Sequence, residues 1–131
     1  MALVAVMPQQ PAAGTPHLTV PVDWEALAPL PLRETPTVTP LMTRFVAHET
    51  QAGNCRKPRI VEGRYVMHVD VAVLLAPNGS IRATIPRAIN CPTIEQYAAG
   101  LISSFARKNL LPSAGDASGW YRASVTFAWK A

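Results

Sequence analysis

Residues 65–75 alternate without interruption. Tyr65, Met67, Val69, Val71, Val73 and Leu75 fall on one side of an extended chain, and Val66, His68, Asp70, Ala72 and Leu74 fall on the other. Successive side chains of a strand point to opposite faces, so this period of two predicts a long strand with one strongly apolar face that has to be covered. Ala76-Pro77-Asn78-Gly79-Ser80 follows, a turn with Asn-Gly at its centre. Ile81, Ala83 and Ile85 then alternate with Arg82 and Thr84, which predicts a hairpin. Pro86 has no amide to donate, so it ends regular pairing or puts this second strand at the sheet edge. A third alternation sets Tyr121, Ala123, Val125, Phe127 and Trp129 against Trp120, Arg122, Ser124, Thr126 and Ala128, and predicts a last strand over 120–130.

Two segments carry helical spacing instead. Thr39-Pro40 places a capping hydroxyl before a proline at the first helical position. Leu41, Phe45, His48 and Ala52 then share a face, with Met42, Val46 and Glu49 beside it, and Gly53-Asn54 supplies a stop. A helix is predicted over 40–52. Thr93-Ile94-Glu95-Gln96 reads as a capping box, and Ile94, Tyr97, Ala98, Leu101, Ile102 and Phe105 recur at helical spacing, which predicts a second helix over 94–108. The expected order is helix, strand, strand, helix, strand. The expected architecture is α+β, with two helices on one face of a three-stranded antiparallel sheet. The long strand takes the centre, the Pro86 strand one edge, and the last strand the other, where its outer backbone groups are left unpaired. Leu41, Phe45, Val69, Val71, Val73, Ile94, Ala98, Leu101, Phe105, Val125 and Phe127 are the expected core.

The amino-terminal part differs in composition. Eight of the 13 prolines fall in the first 40 residues, which breaks helical and sheet hydrogen bonding alike. Residues 1–40 are therefore expected to form an extended arm on a domain spanning 41–131. Val20, Val22, Trp24, Leu27, Leu30 and Leu32 are too apolar for a solvated tail, so part of 20–32 is expected to lie against the domain. Met1–Met7 lacks a basic stretch and is short for a signal peptide. Residues 1–14 are instead read either as the remnant of a signal region or as a plain chain start. No apolar run approaches the roughly 20 residues that cross a bilayer as a helix.

With 49% hydrophobic and 15% charged residues, the chain as a whole is not a disordered polyelectrolyte. The net charge of +4 admits nucleic-acid binding. However, the densest cationic cluster, Arg56, Lys57, Arg59 and Arg64, reads as a solvated loop and not as a phosphate-reading stripe, so no nucleic-acid partner is expected. Cys55 and Cys91 form no CxxC pair, and His17, His48 and His68 have no metal-ligand spacing. The two cysteines are either bridged or separate buried thiols. Their placement beside helix ends favours a disulfide, which implies an oxidising compartment. No phosphate loop or nucleophile elbow is present. His68 and Asp70 share a strand face but read as polar outer-face residues, Asp23 and Glu25 carry no better signal, and Ser103-Ser104 reads as a packing patch. The expectation is no enzyme, no catalytic set, no cofactor and no metal.

Four of the nine aromatic residues, Trp120, Tyr121, Phe127 and Trp129, cluster on the last strand. They pack a core and edge, or they mark a docking edge for an extended peptide. The run Val69-Asp70-Val71-Ala72-Val73-Leu74-Leu75-Ala76-Pro77-Asn78-Gly79-Ser80-Ile81 resembles the first hairpin of TonB-type carboxy-terminal domains. Asn90-Cys91-Pro92-Thr93-Ile94-Glu95-Gln96-Tyr97-Ala98-Ala99 is similar to that family's polar turn, acidic residue and small pair on the second helix. Leu110-Leu111-Pro112-Ser113-Ala114 stands at its helix exit. Gly119 and Ser124-Val125-Thr126-Phe127-Ala128-Trp129 are similar to its closing strand. The resemblance covers about 41–131. It differs in the two cysteines and in a Pro-rich segment too short to cross a periplasm, and the expected protein lacks the family's membrane anchor.

The resemblance implies a periplasmic domain whose last strand receives a short partner segment as an added strand. The expected function is thus a periplasmic or secreted protein-binding module in the cell envelope, connected with transport. It would dock a segment of an outer-membrane or envelope protein along Trp120, Arg122, Ser124, Thr126 and Trp129. The alternative is a structural or assembly protein that sits in an envelope complex or forms a homodimer through paired last strands.

Overall fold

The computed structural model describes residues 23–112 and 119–131. Two helices and a mixed five-stranded sheet make up an α+β fold. The elements are β1 (Ala28–Pro29), α1 (Pro40–Gln51), β2 (Arg59–Val61), β3 (Arg64–Leu75), β4 (Ile81–Pro86), α2 (Pro92–Ala106) and β5 (Trp120–Lys130). A short 3-10 turn, Trp24–Ala26, precedes β1.

The long alternating segment is central, as its apolar face requires. One side of β3 pairs antiparallel with β5 along almost its whole length, from Arg64 opposite Lys130 to Leu74 opposite Trp120. The other side is shared. β2 pairs with residues 64–66 and β4 with residues 71–75. The hairpin turn forms, but with Pro77-Asn78 and not Asn78-Gly79 at its centre: the Gly79 amide donates to Ala76 O at 2.8 Å, Gly79 follows at φ +86°, a conformation that glycine adopts without penalty, and the Asn78 side chain accepts from the Ser80 amide and hydroxyl.

Two strands exceed the expected three. β2 is joined to β3 through Glu62-Gly63, both at positive φ (50° and 77°), the geometry of a tight two-residue hairpin. The cationic loop read at 56–64 is therefore partly a strand edge. β1 pairs in parallel with β5 through Ala28 opposite Tyr121 and Pro29 opposite Arg122, which makes the sheet mixed and not purely antiparallel. That pairing also shortens the open edge expected along the last strand.

Both helices cover the face formed by Met67, Val69, Val71, Val73, Leu75, Ala123, Val125 and Phe127. In α2 the deepest residues are Ile94, Ala98, Ala99, Ile102 and Ala106. Three alanines in that row let the helix approach the sheet closely. Tyr97, Leu101 and Phe105 flank the core, only partly buried, so Leu101 and Phe105 are not central as expected. The cap is also displaced by two residues. Cys91 is the N-cap and Pro92 the first helical residue. Glu95 reaches back to accept from the Cys91 and Ile89 amides at 3.0 Å each.

The first helix begins as read, with Thr39 Oγ1 accepting from the Met42 amide. Its buried face is the neighbouring one, however. Val46 and Thr50 are buried, whereas Leu41 is 71% and Phe45 37% exposed. Compact Val46 lets the helix settle on β5, while Phe45 lies at the rim against Tyr97, 4.4 Å between ring centroids. The Thr50 hydroxyl donates to Ala47 O and so is not left unsatisfied.

The arm wraps the sheet. Trp24 lies under the Arg87 guanidinium (5.5 Å) on the face away from the helices, where Leu27 and Ala72 are buried. The chain then crosses the β5 edge as β1. Leu30 enters the helix-side core, and residues 31–34 hydrogen bond to Asn109, Leu110 and Leu111. Val20, Val22 and the signal-region reading of 1–14 lie outside the described residues, as do Ser113 and Ala114 of the helix exit.

Cys55 and Cys91 are bridged, with Cα atoms 4.7 Å apart, inside the usual range for a disulfide. The bond ties the segment after α1 to the cap of α2. Replacing both cysteines with serine should cost about 3.5–4 kcal/mol, the chain entropy of the 37-residue loop (55 to 91 inclusive, separation 36). Urea denaturation with and without reductant measures this directly. Phe127 is fully buried beneath both helices. Phe127→Ala should cost about 3–5 kcal/mol, whereas Leu41→Ala should change stability by less than about 0.5 kcal/mol.

Candidate functional site

Alternation along β5 fixes which backbone groups face where. The Arg122 carbonyl points away from β3 and accepts from the Leu30 amide at 2.8 Å. In an antiparallel ladder a residue's N–H and C=O point the same way, and neighbours alternate. Ser124, Thr126, Ala128 and Lys130 therefore also present their backbone groups outward. The inward phase agrees, since the Ala131 amide donates to Gly63 O. Among the described residues no strand pairs with β5 beyond Arg122 on this side. The Ala128 carbonyl is contacted by the Arg64 guanidinium at 3.1 Å.

A cleft of about 470 Å³ runs beside this edge, lined by Val38, Pro40, Thr43, Arg44, Ala47, Arg64, Ala128 and Trp129. The amino-terminal turns of α1 form one wall and the end of β5 the other. Trp129 also lines a second cleft with Thr50, Cys55, Lys57 and Tyr65, and its ring lies 5.8 Å from that of Tyr65.

The five docking residues expected from the sequence separate into groups. Ser124 and Thr126 lie on the open stretch, exposed on the face away from the helices. Trp129 lines the cleft on the helix face. Arg122 is taken up by the arm, and Trp120 stands at the far end of the strand, opposite Leu74. The α1 residues of the cleft were not expected as part of a site. Their signal, a proline and small or cationic residues at 40, 43, 44 and 47, is ordinary helix surface until the fold sets it beside an open strand.

The outer face of the sheet carries a polar network. His68 contacts Thr126 Oγ1 through Nδ1 (2.8 Å) and Asp70 Oδ1 through Nε2 (2.9 Å). Ser124 Oγ donates to the same carboxylate oxygen at 2.6 Å, and Arg87 reaches Asp70 Oδ2 (3.4 Å) and Glu25 (3.5 Å). Partial burial pushes the Asp70 carboxyl up. The hydrogen bonds from Ser124 and His68, the positive charge of His68 and the bond from Arg87 outweigh this and hold it below the ordinary carboxylate value. Chemically the network locks strand register and pins Arg87, which carries Trp24 of the arm. The Ser124 hydroxyl points at a carboxylate, not at the imidazole, so Ser124 and His68 do not form a nucleophile–base pair.

Asp70 therefore contributes stability in its ionised form. A lowered folded-state pKa means that this contribution is complete above the unfolded value, near 3.8, and is lost as pH falls through the folded value. The stability difference between the protein and Asp70→Asn should be present above about pH 4 and shrink as the pH falls below it. Chemical denaturation across pH 2–7 checks it, and a difference independent of pH would show that the carboxylate charge contributes nothing.

No family model matches the chain, and neither the curated proteins nor the solved structures give a match.

Proposed function

We propose that this chain is a TonB-like protein-binding module of the periplasm or of a secreted protein, and that it receives a partner segment as an added strand. The observation that carries the proposal is the outward-facing backbone of Ser124–Lys130, left without a strand partner among the described residues beside a ready-made cleft. An open strand edge is a template for pairing with another chain. Added strands gain affinity from main-chain bonds and selectivity from pockets for alternate side chains. Ser124–Lys130 supplies the first, and the cleft between α1 and Trp129 the second.

Three further features support the reading. The disulfide suits an oxidising compartment. No helix among the described residues is long and apolar enough to cross a membrane. Among the described residues the arm pairs with the Tyr121–Arg122 end of the edge alone, which leaves seven residues for a partner. Seven extended residues span about 23 Å, the length of a typical strand.

The second reading, self-association through paired β5 edges, uses the same surface. Light scattering on a size-exclusion column separates the two, because a monomer at high concentration removes self-pairing. The docking edge is tested by Ser124→Pro and Thr126→Pro. Each deletes an outward amide that makes no bond within the sheet, together with one hydroxyl of the polar network, so the fold should survive with a modest loss of stability while partner retention from an envelope extract is lost. A partner retained equally by both folded variants would place its binding elsewhere on the molecule.

A further inference from the structure

Charge is distributed unevenly around the open edge. Arg64 and Lys130 are directly opposed across β3 and β5, an arrangement of like charges that works against the pairing. Arg44 and Arg64 both line the cleft beside them. Among the described residues, the ion pairs join only His68 with Asp70 and Arg87 with Glu25 and Asp70, so none of these three cations has an acidic partner. Among the described residues Arg64 donates to the outward Ala128 carbonyl, on the docking edge itself.

Residues 1–22 contain no Asp or Glu that could pair with these cations. We infer that the strand docking on Ser124–Lys130 belongs to another protein and is acidic. Its apolar side chains face Val38, Pro40, Ala47 and Trp129 in the cleft, and its carboxylates alternate with them on the opposite face, beside Lys130 and beside Arg64, whose register opposite Lys130 starts its side chain on that same face. This rests on the strand-docking reading above and adds the chemistry of the occupant. It also gives the opposed Arg64–Lys130 pair a role: the repulsion is relieved when an acidic strand is in place, so an acidic segment gains over a neutral one of the same shape.

The test uses the full chain, isotope-labelled, titrated with two blocked seven-residue peptides of alternating valine and glutamate or valine and lysine. Binding is followed through the backbone amides by NMR. The glutamate peptide should shift the amides of Ser124–Lys130 and bind about tenfold tighter than the lysine peptide at low salt, with the gap closing as ionic strength rises. The folded double variant Arg64→Gln, Lys130→Gln should lose that preference while still binding at the same edge. If both peptides bind the edge equally well, the acidic occupant is overturned and strand docking stands. If neither moves the edge amides, or the shifts fall on another face, both readings are overturned.

Discussion

Everything else in this fold hangs on the ladder between β3 and β5. It runs from Arg64–Lys130 to Leu74–Trp120 without a shift in register. Because the period of a strand is two, a slip of one residue would turn Val69, Val71, Val125 and Phe127 to the solvent face. The buried face therefore fixes the register, and the register fixes the rest. It brings Ser124 and Thr126 opposite Asp70 and His68, which assembles the outer polar network from residues more than 50 positions apart. It also sets the phase of β5, so that even-numbered residues from Arg122 to Lys130 present their backbone outward.

The sequence is legible where a pattern is long and local. The β3 alternation, a turn at 76–80, the last strand and the Thr39-Pro40 helix start can all be read from neighbouring residues, whereas the cysteine bridge joins positions 36 apart and is favoured only by their placement beside helix ends. What escapes is decided by packing between distant ones. Both apolar stripes of α1 are acceptable helix faces, and only the closeness of the helix to β5 selects Val46 over Phe45. In α2 the larger Tyr97, Leu101 and Phe105 dominate a hydrophobic count, yet alanines occupy the deepest row because they permit the closest approach. β2 and β1 have three and two residues, too few for a periodic signal. Glu62-Gly63 carried the only local hint of the first, and two prolines flanking Leu30 argued against the second. Of the site, the strand was legible and the cleft was not, because half of its lining comes from α1, about eighty residues away in the chain.

The arm explains why, among the described residues, only part of β5 is open. A bare edge of eleven residues rich in aromatics would be a hazard for aggregation. The arm crosses it at Tyr121–Arg122, buries Leu27 on one face and Leu30 on the other, and leaves the sheet there. Proline at position 29 suits this crossing, because Pro29 has no amide to offer further pairing. The remaining stretch is protected differently. Lys130 and Arg64 place two positive charges at its end, and charge along an edge is one way in which an unpaired strand is kept from pairing indiscriminately. An edge built only to stay unpaired needs charge or a cover. This one adds a cleft with an aromatic wall, which protection alone does not require, and in the proposed reading that combination serves a strand arriving from outside.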